Sequence, residues 1–131
     1  MYKSTGILKY FKEPELKVIV EVDQQLADYY RSLIPKYYYV SRQKYNAHIS
    51  VVRKEIPTDL TLWGIHEDEE VEFYYDNQIK RGKVYFWINV FCKRLEEIRL
   101  ELKLPVNSPY TLPPEGFVKC FHCTIGNVKN V

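Results

Sequence analysis

One four-residue pattern occurs twice in this chain and limits what it can fold into. His48-Ile49-Ser50-Val51 recurs as His122-Cys123-Thr124-Ile125, 74 residues further along a chain of only 131. Each copy reads His, apolar, hydroxyl, apolar. On a strand, alternate side chains share a face. Each segment therefore sends an imidazole and a hydroxyl to one surface and two apolar groups into the core. A chain of this length makes one domain over residues 1–131, so both strands must serve a single fold.

The segments around the two copies are arranged alike. Asp23 follows the apolar run Val18-Ile19-Val20 and is a helix N-cap. Leu26, Tyr29, Tyr30, Leu33 and Ile34 follow at spacings of three and four until Pro35. A second helix is expected from about Lys93 to Leu104, with Leu95, Ile98 and Leu102 on its apolar stripe and Pro105 as its stop. Strands are expected over Lys17–Val22, Ala47–Val52 and Lys119–Ile125, and a hairpin over Val71–Asp76 and Lys83–Phe91. Pro105 to Gly116 reads as an irregular connection. Each half thus has a strand, a helix and a histidine-bearing strand, which predicts an α+β fold of two related lobes with a cleft between them.

Composition narrows the function classes. A formal charge of +2 is too weak a field for a general DNA-coating protein. Three cysteines do not make a disulfide framework, so a reducing cytoplasm is the expected compartment. The N-terminus has no signal-like apolar stretch, and no window approaches the length of a membrane span, so no membrane partner is expected. Twelve Tyr, six Phe and two Trp can fill a core or stack on bases, and composition does not choose between these uses.

The chemistry of the repeated pattern is more selective. Two opposed imidazoles can act as base and acid in phosphodiester cleavage, because histidine titrates near neutrality. One removes a proton from the attacking oxygen and the other protonates the leaving oxygen. The hydroxyls of Ser50 and Thr124 can donate to the non-bridging phosphate oxygens, where charge accumulates. This scheme requires no metal and no cofactor.

These two motifs resemble the paired His-x-Ser/Thr-x signatures of the 2H phosphoesterase superfamily, which includes cyclic phosphodiesterases and small RNA-processing enzymes. The resemblance covers both halves and implies a bilobal α+β fold, with two antiparallel-rich sheets lining a central cleft and helices packed outside. It carries over to His48, Ser50, His122 and Thr124 as the catalytic set. Ser50 stands where Thr is more usual and keeps the hydroxyl. Compact size, two histidine motifs and nearby aromatics are also similar to the small phage anti-CBASS nucleases, which degrade cyclic oligonucleotides of bacterial antiviral signalling. That likeness implies a cyclic oligonucleotide as partner, with a host-cell cytoplasm as the compartment. RNA-end or 2′,3′-cyclic phosphate processing is the alternative within the class. A nucleotide-binding module without turnover is the alternative outside it.

Strand pleating offers candidates for holding the rest of a substrate. Tyr85, Trp87 and Asn89 share the face opposite Phe86, Ile88 and Val90. Tyr85 and Trp87 either stack on bases beside the histidines or pack beneath a loop. Tyr74 is a further candidate on the hairpin, and Tyr10 either closes over the site or simply packs. Lys119, just before the second motif, is a candidate phosphate contact or solvated surface. No metal site is expected. On a strand Cys120 and His122 face away from Cys123, and Cys92 is the only other thiol for a four-ligand site. His66, near Glu67-Asp68-Glu69-Glu70, reads as part of an acidic turn.

Overall fold

Alternation decides the strands. In Lys17–Val22, Val18 and Val20 are fully buried, Val22 is buried, and Lys17, Ile19 and Glu21 face the other way. The computed structural model describes residues 1–108 and 111–129. They run in the order β1 (Tyr2–Phe11), β2 (Lys17–Val22), α1 (Gln24–Ser32), β3 (His48–Val52), β4 (Glu70–Arg81), β5 (Tyr85–Phe91), α2 (Lys93–Glu101) and β6 (Phe121–Asn127), with a short 3-10 turn at Lys36–Tyr38. Asp23 caps α1 as expected, its carboxylate accepting the Gln25 N–H at 2.9 Å. Both helices are nine residues long. No described helix is long and apolar enough to cross a membrane. The connection after Pro105 is irregular over its described residues, and Pro109 and Tyr110 within it lie outside them.

The strands close into one antiparallel barrel in the order β1-β2-β3-β6-β5-β4. The chain is therefore mostly β, and the expected bilobal fold with two sheets around a central cleft is not formed. The cause is β1, which carries no clear alternation in sequence. It pairs with β2 through Gly6↔Val22 to Phe11↔Lys17 and with β4 through Tyr2↔Tyr75 to Ile7↔Glu70. It thereby stitches the first half to the second along one seam. Gly6 permits this close approach, because a Cβ there would lie 2.5 Å from both the Glu21 carbonyl oxygen and Val20 Cγ1. The second seam is β3 against β6, in register at Ile49↔Cys123. With both seams closed, none of the described strands leaves an edge to border a cleft.

The repeat survives inside the barrel. Each half is a hairpin, a helix and a histidine strand: β1-β2-α1-β3 and β4-β5-α2-β6. Each helix packs on the histidine strand of the other half, α1 on β6 and α2 on β3. Val20, Ile49, Cys123 and Ile88 lie in register across four adjacent strands, and all four are fully buried. Ala27 and Tyr30 of α1, Leu95 and Ile98 of α2, and Leu102 at its C-cap join the same core cluster. Burying each large aliphatic side chain contributes about 1.5–3 kcal/mol. One shared core thus holds both halves.

Candidate functional site

The register of the core row fixes what stands on the opposite face. Antiparallel pairing about Ile49↔Cys123 sets His48 across from Thr124 and Ser50 across from His122. The two imidazoles then lie on one diagonal and the two hydroxyls on the other. Diagonal neighbours have Cβ atoms roughly 7–8 Å apart, a gap that a phosphate group can bridge. All four side chains line one groove on the outside of the barrel wall, with a volume of about 610 Å³.

The flanking strands complete the groove differently on the two sides. On β2, Glu21 pairs with His48 and Ile19 with Ser50, and Lys17 lies further along the same face. On β5, Trp87 pairs with Thr124 and Asn89 with His122. Tyr85 lines the groove at 38% exposure, with the Lys129 ammonium 5.0 Å from its ring centroid. Gln43, Tyr45 and Asn46 form the loop that enters β3, and Arg53 follows it. Lys17, Arg53 and Lys129 have no ion-pair partner among the described residues. They give the groove a cationic rim, moderated by Glu15 and Glu21.

The two histidines are held in different ways. His48 Nδ1 lies 2.9 Å from the Asn46 carbonyl oxygen. A ring nitrogen facing a carbonyl must carry the proton, which leaves Nε2 for the groove. His122 is held by stacking: its ring lies 5.1 Å from Trp87 at 32°. Although one edge of His122 stays exposed, desolvation of the imidazole holds it below the ordinary histidine range, and the nearby Lys119 ammonium adds to this. Both effects favour its neutral form.

The aromatic and lysine candidates separate into those on the groove and those off it. Tyr85 reaches it. Trp87 does not line it: the indole donates Nε1–H to Asn89 Oδ1 at 3.1 Å and supports His122. Tyr74 is not a groove residue, because it packs edge-on to Phe117 at 5.9 Å. Tyr10 is also elsewhere, packed edge-on to Trp63 at 5.5 Å, and burial pushes its phenol up to about 12. Lys119 does not line the groove either. Its ammonium lies 5.5 Å from the Phe121 ring centroid and acts on His122 only through its charge.

Lys17, Gln43, Tyr45 and Lys129 were not singled out from the sequence, since they lie outside both motifs. Only Lys17 carried a signal, being in phase with Ile19 and Glu21 on β2. Among the described residues, no group of three or more His, Cys, Asp or Glu is arranged to hold a metal ion. His66 does lie in the acidic turn, but it is packed there and not solvated. Its Nε2 lies 3.1 Å from both Glu101 carboxylate oxygens, and its Nδ1 lies 3.2 Å from Arg94.

Compared with protein-family models, curated proteins and solved structures, the chain gives no significant match.

Proposed function

We propose that this chain is a metal-independent phosphodiesterase of the paired-histidine type, acting on 3′,5′-linked cyclic oligonucleotides. The observation that carries this reading is the β3–β6 pairing, which aligns His48, Ser50, His122 and Thr124 on one groove with the imidazoles on a diagonal. His122, whose surroundings favour the neutral form, suits the base, which must accept a proton at the start of the reaction. His48 suits the acid, since its Nδ1–H keeps the Asn46 acceptor when Nε2 is also protonated.

In this scheme His122 removes the proton of a ribose 2′-hydroxyl, and the 2′-oxygen attacks the adjacent phosphorus. The bond from phosphorus to the 5′-oxygen breaks as His48 Nε2 protonates that oxygen. Ser50 and Thr124 donate to the non-bridging oxygens while their charge grows. The products are a 2′,3′-cyclic phosphate and a free 5′-hydroxyl on a linearised ring. A groove of this volume lies in the usual range for ligand sites. Its cationic rim and the Tyr85 ring supply contacts for further phosphates and a base. This is the substrate class degraded by the anti-CBASS nucleases that the motifs resemble.

The test is incubation with cyclic di- and trinucleotides, 2′,3′-cyclic nucleotides and short RNA in excess EDTA, followed by mass analysis. Linear products ending in a cyclic phosphate are expected. His48→Ala and His122→Ala each abolish them while retaining substrate binding. Wild-type turnover in either variant overturns the assignment, as does activity lost in EDTA and restored by a divalent ion. Binding without turnover by the native chain marks a binding module instead.

A further inference from the structure

The two histidine strands share one irregularity that their sequences do not announce. On β3, Ser50 pairs with Ile19 and Val52 with Val18, so Val51 is an extra residue with no partner on β2. On β6, Thr124 pairs with Trp87 and Gly126 with Phe86, so Ile125 is an extra residue with no partner on β5. Each motif therefore ends in a β-bulge immediately after its hydroxyl residue. A bulge bends and twists its strand and leaves the extra residue outside the ladder.

An arginine from the helix of the opposite half donates to each bulge carbonyl. Arg99 on α2 donates Nη1–H to the Val51 oxygen at 2.7 Å, and Arg31 on α1 donates Nη1–H to the Ile125 oxygen at 3.2 Å. Arg99 is only 3% exposed. Its other donors are satisfied by Glu55, at 2.8 Å to each oxygen, and by the Pro105 carbonyl at 2.9 Å. Arg31 donates to Asp28 at 2.8 Å, and its stem crosses Gly126, where a Cβ would lie 3.2 Å from Arg31 Cδ.

The same helices also hold the backbone just before each histidine. Gln24 accepts the Ala47 N–H at 2.7 Å and donates to Asp28 at 2.9 Å, so a continuous chain of bonds runs from the residue before His48 to the bulge after Thr124. On α2, Glu96 accepts the N–H groups of Val118 and Lys119 at 2.8 and 2.9 Å, ahead of His122.

We infer that Arg31 and Arg99 are positioning residues that fix the two histidine strands against each other through the paired bulges. The seam they brace is in register at Ile49↔Cys123, and a slip of one residue there would turn an imidazole and a hydroxyl to the other face. The braces act on the geometry of the phosphate cradle and not on substrate contact. The kinetic part of the test rests on the phosphodiesterase reading; the structural part does not.

Arg31→Gln and Arg31→Lys, with Arg99→Lys as the milder change at the buried site, are compared with the native chain by amide exchange and by kinetics on a cyclic dinucleotide. Arg31→Gln is expected to fold and to lose protection at the amides of β3 and β6 while β1 and β4 keep theirs. Its kcat falls by about tenfold to 100-fold while KM changes by less than about twofold, the pattern of a displaced cradle. Arg31→Lys, which retains one donor for the Ile125 oxygen, restores part of both losses. Native protection of β3 and β6 together with native kcat in Arg31→Gln and Arg99→Lys overturns the inference, as does protection lost evenly over the barrel. If the native chain cleaves no phosphodiester, the proposed function fails, and the exchange pattern still decides the brace.

Discussion

Glu96 is the residue whose removal is most directly calculable. It is only 7% exposed, on the first turn of α2, and one carboxylate oxygen accepts two backbone N–H groups from the segment entering β6. In Glu96→Ala both donors lose their acceptor. Hydrogen bonds to a charged group contribute about 1.5–3 kcal/mol each, so the pair gives roughly 3–6 kcal/mol. Val118 is 54% exposed, and water can reach its N–H once the carboxylate has gone, which favours the lower end. A loss of about 3 kcal/mol is a large part of the roughly 5–15 kcal/mol that stabilises an ordinary domain. At this size it lowers Tm by about 10–15 °C. Glu96→Gln keeps one neutral acceptor oxygen and should fall midway. The assay is denaturant unfolding at pH 7 with calorimetry alongside. A Glu96→Ala protein within about 1 kcal/mol of the native chain would refute the reasoning, since it would mean that the segment before His122 is held by something other than this carboxylate.

Two further outcomes are expected. If His122 is the base, as proposed, its depressed pKa means that activity falls as pH drops through it, so the acid limb of the kcat/KM profile lies below the ordinary histidine range; Lys119→Gln removes the neighbouring cation and moves that limb upward, and an unmoved limb would remove His122 from the role of base. Ile49→Ala opens a cavity in the fully buried row beneath the groove and should cost about 2–5 kcal/mol in urea unfolding, whereas a change under about 1 kcal/mol would show that this row is not the core of the seam.

Much of the candidate site's geometry was legible because a strand has period two. That rule alone puts His48 with Ser50 and His122 with Thr124, and it needs nothing from the rest of the chain. Asp23 was legible for a similar reason, since a cap acts over two residues. The closure of the barrel was not. β1 carries Lys3, Ser4 and Gly6 among its apolar residues, and it is a strand because β2 and β4 both pair with it. The pleat also gave Trp87 its face but not its neighbour: in register it meets Thr124, and its ring turns onto His122. The bulges at Val51 and Ile125 left no trace, because both positions are apolar whether the ladder is regular or broken. Tyr10 and Tyr74 show the limit of reading rings one at a time, as each was taken up by another aromatic, Trp63 or Phe117.

Closure through β1 has a consequence for how this chain behaves in company. An open sheet always carries two raw margins, where unpaired N–H and C=O groups can template another strand. The described strands leave none, although the chain is rich in tyrosine and in β-forming segments that would otherwise invite such pairing. The protection is all or nothing, because withdrawing a single strand from a ring creates two margins at once. Fraying of the first eleven residues would bare β2 on one side and β4 on the other, leaving the groove strands themselves intact. The N-terminal strand thus stands as the latch between a closed ring and one open to self-association.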